Sequence, residues 1–286
     1  VQTCALPISP DEQDEEAARN RKYSATLMLT EPNSSPAESY RAIRANLFYS
    51  RPAAEIKTLC ITSSRPHEGK TTTSCNLAIA VAQTGKRVLL IDGDLHRPQL
   101  ARVLGLHDQS GLTSVLVGET RWQDALQQVT QDGQLLANLS VMTAGPRSPS
   151  PSELVGSESM HTLIRELRGH FDWLFIDTPP VLFVSDTAVM SVMCDGVLLV
   201  VKAGESSRTL ITRAAESLQS VNAKIVGTIL NNVVVTKVGR HYSSYYHVGY
   251  SRYARDYSKT YYADSRSEEH TSELQSPYVI SYAVFC

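Results

Sequence analysis

The chain has 286 residues, 42% hydrophobic and 20% charged, with 27 basic against 29 acidic side chains and a net charge of −2. That composition fits a soluble globular protein with a sizeable core and excludes a strongly basic nucleic-acid binder. The most apolar stretch, residues 181–201, is interrupted by Asp186 and Asp195 and reads as helix–turn–strand, not as a membrane span. No signal-peptide pattern opens the chain. Five cysteines without paired metal-ligand spacing point to a reducing compartment, with Cys60, Cys75 and Cys194 in contexts that suit small core residues.

The two ends read differently from the rest. Residues 1–9 and 266–286 resemble translations of sequencing-adapter DNA read on opposite strands, and they are expected to stand outside the fold. Without them, 26 basic and 26 acidic residues remain, so the module itself is near neutral. Residues 10–34 pass from acidic to Pro- and Ser-rich and predict a mobile linker or tether.

Ser35-Pro36-Ala37-Glu38 predicts a helix start, with Ser35 as N-cap, Pro36 at the first helical position and Glu38 three residues past the cap. The helix runs to about Tyr49. It sets Glu38, Arg41 and Arg44 along one face, either as a solvated charged surface or as a contact between subunits.

Lys57–Ser63 predicts the first strand. The turn Ser64-Arg65-Pro66-His67-Glu68-Gly69-Lys70-Thr71-Thr72 then leads into a helix from about Thr71 to Thr84. Gly69-Lys70-Thr71 is the back half of a phosphate-binding loop. Glycine lets backbone N–H groups curl round a phosphate, lysine reaches the outer phosphates, and the threonine hydroxyl ligates Mg²⁺. The full pattern has glycine at position 64, where this chain has Ser64. The apolar strand before the loop and the helical run after it supply the context the motif needs.

Residues 87–94 predict a buried strand ending in Asp92 and Asp94, at the carboxyl edge where parallel sheets bind ligands. Residues 98–135 read as short helices with polar loops, and residues 139–144 as a strand. Ser152 is expected to cap one helix running to about Arg168. Trp173-Leu174-Phe175-Ile176-Asp177 is an apolar strand that delivers Asp177 to Mg²⁺ or its waters, the Walker B pattern. A helix at 186–193, a strand at 196–202, a helix at 208–219 and a strand at 224–231 complete the alternation. The predicted fold is α/β, a P-loop NTPase with a doubly wound, mostly parallel sheet and helices on both faces, over residues 35–238.

Residues 239–265 form a tail that holds eight of the thirteen tyrosines: Tyr242, Tyr245, Tyr246, Tyr250, Tyr253, Tyr257, Tyr261 and Tyr262. Six of them recur every three or four residues, which suits a docking helix. A basic aromatic tail also suits stacking on single-stranded nucleic acid, and a disordered tail suits hydroxyls that are themselves substrates.

Together the ordered motifs resemble the bacterial tyrosine kinase (BY-kinase) family, the autokinases of capsule and exopolysaccharide export. They are Glu38-x-x-Arg41-x-x-Arg44, the loop ending Glu68-Gly69-Lys70-Thr71-Thr72, Asp92-Gly93-Asp94 with Arg97-Pro98, Phe175 to Pro180, Gly227 to Asn231, and the tyrosine cluster. The resemblance implies an ATP-dependent protein-tyrosine autokinase that uses Mg²⁺ and phosphorylates its own tail in trans. It implies that Arg65 to Thr72 wrap the nucleotide phosphates, with Lys70 holding them. Thr71, Asp94 and Asp177 would serve the metal, and Asn231 would lie at the base. Asp92 and Asp94 would share metal-water contact and activation of the tyrosine hydroxyl. Glu38, Arg41 and Arg44 would join copies into a ring. The implied partners are other copies of the chain and a membrane-anchored polysaccharide co-polymerase activator, fused or separate, without nucleic acid. The implied location is the cytoplasmic face of the inner membrane. His67 replaces the family's usual glycine and His96 its usual arginine, which bears on activity level. Arg65 aligns with the signature lysine of partition and septum-site ATPases, so a nucleotide-switched dimer of that kind is the alternative. A non-catalytic nucleotide-binding scaffold is the third reading.

Overall fold

The computed structural model describes residues 20–49, 56–131, 134–234 and 279–285. Its eight strands are β1 (Thr58–Ser63), β2 (Val88–Asp92), β3 (Leu126–Gln131), β4 (Gln134–Met142), β5 (Trp173–Asp177), β6 (Gly196–Lys202), β7 (Ile225–Val234) and β8 (Val279–Phe285). They form one sheet in the order β3-β4-β2-β5-β1-β6-β7-β8. The inner strands β4, β2, β5, β1, β6 and β7 run parallel, and β3 and β8 pair antiparallel at the two edges. The helices in chain order are α1 (Leu27–Thr30), α2 (Ser35–Tyr49), α3 (Lys70–Ala82), α4 (Leu100–Leu104), α5 (Leu112–Leu116), α6 (Pro151–Val155), α7 (Glu158–His170), α8 (Asp186–Val192) and α9 (Arg208–Ser220). Among the described residues no helix is long and apolar enough to cross a membrane.

Strand alternation sorts the core. Leu59, Ile61, Leu90, Phe175 and Leu198 face α2 and α3 on one side of the sheet. Leu89, Ile91, Leu174 and Ile176 face α5, α7 and α8 on the other, while Cys60, Val197 and Leu199 meet α9. A strand covered on both faces is buried at every position and so is largely apolar, as β1, β2 and β5 are apart from threonine, serine and the aspartates at their ends. Burial pushes the Cys60 thiol up to about 12, so it packs as a neutral core group.

Several expectations are corrected. Residues 98–135 hold more than short helices: β3 occupies Leu126–Gln131, and β4 begins at Gln134. The glutamine-rich β3 lies at a sheet edge, where polar side chains reach neighbouring loops or solvent, and Leu126 and Val129 turn inward. The single helix expected after Ser152 is two, because the Ser157 side chain accepts from Met160 N at 3.3 Å and starts a new helix. Ser34, not Ser35, caps α2, accepting from Ala37 N at 3.3 Å.

The tether expected at 10–34 is regular structure from residue 20 and packs against the core from residue 25. Residues 20–25 are helical, α1 follows, and Ala25 and Met28 are buried. Buried Asn76, on α3, holds this segment: it accepts from Met28 N at 2.9 Å and donates to Ser24 O at 2.7 Å. Residues 279–285, set aside above with 266–286, pair with β7. A Val-, Ile- and Tyr-rich segment beside an open strand edge pairs through its backbone. The tyrosine cluster Tyr242–Tyr262 lies outside the described residues.

Candidate functional site: a phosphate loop facing three carboxylates

The site forms at the carboxyl ends of β1, β2 and β5, where the strand order turns back on itself. β1 ends at Ser63, and residues 64–69 loop over to α3. Gly69 has φ +93°, in the left-handed region. A Cβ there would stand 2.0 Å from Asn231 Nδ2, so two constraints require glycine. His67 also takes a left-handed conformation, φ 66°, uncommon for a residue other than glycine. It is exposed, whereas Glu68 is 1% exposed.

Lys70 opens α3 and reaches across to the other strand ends. Its Nζ lies 3.2 Å from Asp94 Oδ2 and 3.9 Å from Asp177 Oδ2. Burial alone would lower the Lys70 pKa, but Asp177, Asp94 and Asp92 outweigh it and hold the ammonium above its ordinary value. Thr71 Oγ1 donates to Asp177 Oδ2 at 2.6 Å, and Ser74 Oγ donates to Asp177 Oδ1 at 3.0 Å. Burial pushes Asp177 up, against the pull of Lys70 and these two hydroxyls.

Asp92 and Asp177 sit side by side in the β2–β5 register. Asp92 Oδ2 accepts Gln99 N at 3.0 Å and Leu100 N at 2.9 Å, which anchors the start of α4. Its Oδ1 receives one longer bond, from Asp94 N at 3.2 Å. Burial and the adjacent Asp177 charge raise Asp92 to about 7, despite those amides and Lys70. Asp94 instead faces Lys70 and accepts Arg97 N at 2.9 Å. Geometry therefore separates two residues that the sequence leaves sharing both roles.

Three carboxylates face one ammonium, leaving an excess of negative charge that a divalent cation offsets. No three His, Cys, Asp or Glu side chains among the described residues form a cage that could hold a metal ion by themselves. Thr71 and Asp177, already paired, and Asp94 across from them are placed where they would face such a cation. The residues present thus fit Mg²⁺.

Beside the loop lies a cavity of about 220 Å³ lined by Leu27, Pro36, Tyr40, Thr72, Lys202 and Asn231. Asn231 Nδ2 donates to Glu68 O at 3.1 Å, so it braces the loop as well as lining the cavity. The Arg65 guanidinium turns to the loop after β6, donating to Glu205 O at 3.1 Å. Pro66 is half-buried. His96 Nε2 meets Asp186 Oδ2 at 3.0 Å, away from Lys70. On α2, Arg41 pairs with Glu38 at 2.9 Å on the surface, but Arg44 donates to Ala80 O of α3 at 2.8 Å. Within one copy of the chain, then, the three side chains have different partners.

Sequence reasoning missed Ser74 and Ser206. Ser74 lies three residues beyond Thr71 and so on the same helix face, a signal that could have found it. Ser206, which donates to the Glu68 carboxylate, is 138 positions away from it and gives no local signal.

Comparison with known proteins agrees with this geometry. A family model described as "AAA domain" matches residues 56–231. Tyrosine-protein kinase YwqD of Bacillus subtilis (strain 168) is 36% identical over 218 residues, covering 76% of this chain and 90% of that protein. The solved kinase domain of Escherichia coli tyrosine kinase ETK superposes with a TM-score of 0.68 at 31% identity, covering 71% of this chain and 78% of that one. The chimerical protein CapA2B2 gives a TM-score of 0.67 at 31% identity, covering 72% and 89%. The septum-site-determining protein MinD of Pyrococcus horikoshii, complexed with Mg-ADP, is 24% identical at a TM-score of 0.50, covering 60% and 68%, and shares the fold. The chain is a nucleotide-binding P-loop protein, and it belongs to the bacterial tyrosine-protein kinase family.

Proposed function

We propose that this chain transfers the γ-phosphoryl group of ATP to tyrosine hydroxyls of its own 239–265 tail, in trans within a ring of copies. The observation that carries this reading is the meeting of Lys70, Asp92, Asp94 and Asp177 at the phosphate loop. Loop amides and Lys70 hold the nucleotide phosphates, and the base enters the cavity beside Tyr40, Thr72 and Asn231. Thr71, Asp94 and Asp177 would hold Mg²⁺, which when bound would neutralise charge on the phosphates.

A tyrosine hydroxyl, with a pKa near 10, is a poor nucleophile at neutral pH. Asp92 has the raised proton affinity that suits a proton acceptor, and its Oδ1 is the less encumbered oxygen. The tyrosine oxygen forms the new P–O bond, ADP leaves, and the hydroxyl proton passes to Asp92. Tethering many tyrosines raises their effective concentration at a neighbour's site. The chain works at the cytoplasmic face of the membrane in control of capsule or exopolysaccharide synthesis and export. Its partner there is a membrane-anchored activator, a reading that the similarity to the CapA2B2 chimera supports.

The test is mass spectrometry of the chain after incubation with Mg-ATP, beside Lys70→Met. Several phosphates within Tyr242–Tyr262, absent from the variant, are expected. Nucleotide hydrolysis with an unmodified tail would favour a MinD-like ATPase. Nucleotide binding with neither, even with the activator's cytoplasmic segment added, would favour a scaffold.

A further inference from the structure

Glu68 is a carboxylate placed inside a loop built to hold anions. It is buried, and no lysine or arginine side chain among the described residues forms an ion pair with it. Such a group is tolerated only where its lone pairs are filled. Ser64 Oγ lies 2.9 Å from both carboxylate oxygens, and Arg65 N donates to Oε2 at 2.9 Å. The Ser206 hydroxyl donates to Oε1. Ser64 is the residue that stands where the phosphate-loop pattern has glycine. Its hydroxyl and the Glu68 carboxylate close the loop across its own neck, four residues apart.

Ser206 lies in the turn between β6 and α9. Its Oγ also accepts Lys202 N at 3.0 Å, which fixes it to the end of β6. A second bond crosses between the same two loops, from Arg65 Nη2 to Glu205 O. The phosphate loop is therefore held from the side by a segment that follows a different strand.

We infer that Glu68 and Ser206 are positioning residues for the nucleotide: the Ser64–Glu68–Ser206 chain of hydrogen bonds latches the phosphate loop to the 203–207 turn and presets its amides for phosphate. It rests on the nucleotide site described above and adds a control point outside the phosphate-loop sequence. A loop set in its bound shape avoids the ordering cost of binding, so the latch acts on affinity. Whatever moves the 203–207 turn moves the phosphate loop with it.

The experiment measures binding of a fluorescent ADP analogue, mant-ADP, to the full chain and to Ser206→Ala, Ser206→Thr and Glu68→Gln, with thermal melting in parallel. Ser206→Ala should weaken binding about tenfold, the scale of one hydrogen bond to a charged group. Ser206→Thr, which keeps the hydroxyl, should stay within about twofold of wild type and melt close to it, whereas Ser206→Ala should also melt somewhat lower because it leaves the buried Glu68 carboxylate short of a donor. Glu68→Gln should weaken binding at least as much as Ser206→Ala. Unchanged affinity in Ser206→Ala would overturn the latch. So would an equal loss in Ser206→Thr, since the effect would then follow packing and not the hydroxyl. Wild-type protein that binds no mant-ADP would overturn the nucleotide reading itself, an outcome distinct from either.

Discussion

Asp92 illustrates what a functional site asks of one residue. It is fully buried beside Asp177, and its folded pKa of about 7 stands well above the ordinary value of 3.8. Between those values the folded protein binds a proton that the unfolded chain does not. This contribution to stability is complete below about pH 4 and is lost as pH rises through 7. Urea unfolding without nucleotide should therefore show stability falling by roughly 1–4 kcal/mol from pH 5 to pH 8 through this group. Asp92→Asn should lower stability overall, because its amide cannot accept all three N–H donors, but it should flatten that slope. Parallel slopes for the two proteins would reject the assignment. At this scale the sequence was informative where chemistry is local. Gly69, Lys70 and Thr71 are contiguous, and Asp177 ends an apolar strand. The separation of Asp92 from Asp94 was not legible, because it depends on which backbone amides fold back onto each carboxylate.

The element that organises the site is α3. It carries Lys70 and Thr71 at its start and is buried along most of its length between the sheet and α2. Asn76 lies on it as a fully buried amide whose Oδ1 and Nδ2 are both used, by Met28 N, Ser24 O and Thr72 O. Asn76→Leu keeps the volume but strands a backbone donor and acceptor of residues 24–28. The expected cost is about 2–4 kcal/mol. Hydrogen exchange should rise at 24–28 and stay unchanged in α7; uniform exchange across the molecule would count against a local clamp. This packing explains why residues 20–34 were misread as a tether. Their composition is that of a linker, and their order comes from an asparagine some fifty positions away. The β3–β4 hairpin was missed for a related reason. At an edge, period-two burial is replaced by glutamines such as Gln127, which bonds the His107 backbone at 2.7 Å and 2.9 Å.

For the whole molecule, the doubly wound, mostly parallel sheet was legible because strand and helix alternate along the chain, whereas the strand order was not. Nor were the antiparallel edges, since nothing in a strand's own composition names its neighbour. The assembly proposed above separates the α2 charges into two classes. Glu38 and Arg41 pair with each other at the surface, with side chains 64% and 29% exposed, and contribute under about 0.5 kcal/mol to the folded monomer. Arg44 is tied into α3. Under the ring reading, Glu38→Lys should convert rings to smaller species in sedimentation velocity while melting as wild type does. Arg44→Ala should lower the melting temperature of the monomer itself. A ring that survives Glu38→Lys would remove that residue from the contact.

The Asn76 clamp has a mechanical consequence. Tension entering along the backbone at residue 20 is borne first at Ser24 and Met28, one helical turn apart and both gripped by a single amide. The two bonds share one side chain, so displacing that side chain would release both. The same amide is hooked to Thr72, two residues from Lys70, and Leu27 is a wall of the adjoining cavity. A pull strong enough to peel this segment away would thus remove one wall of that cavity and free the amide that holds Thr72 in one stroke.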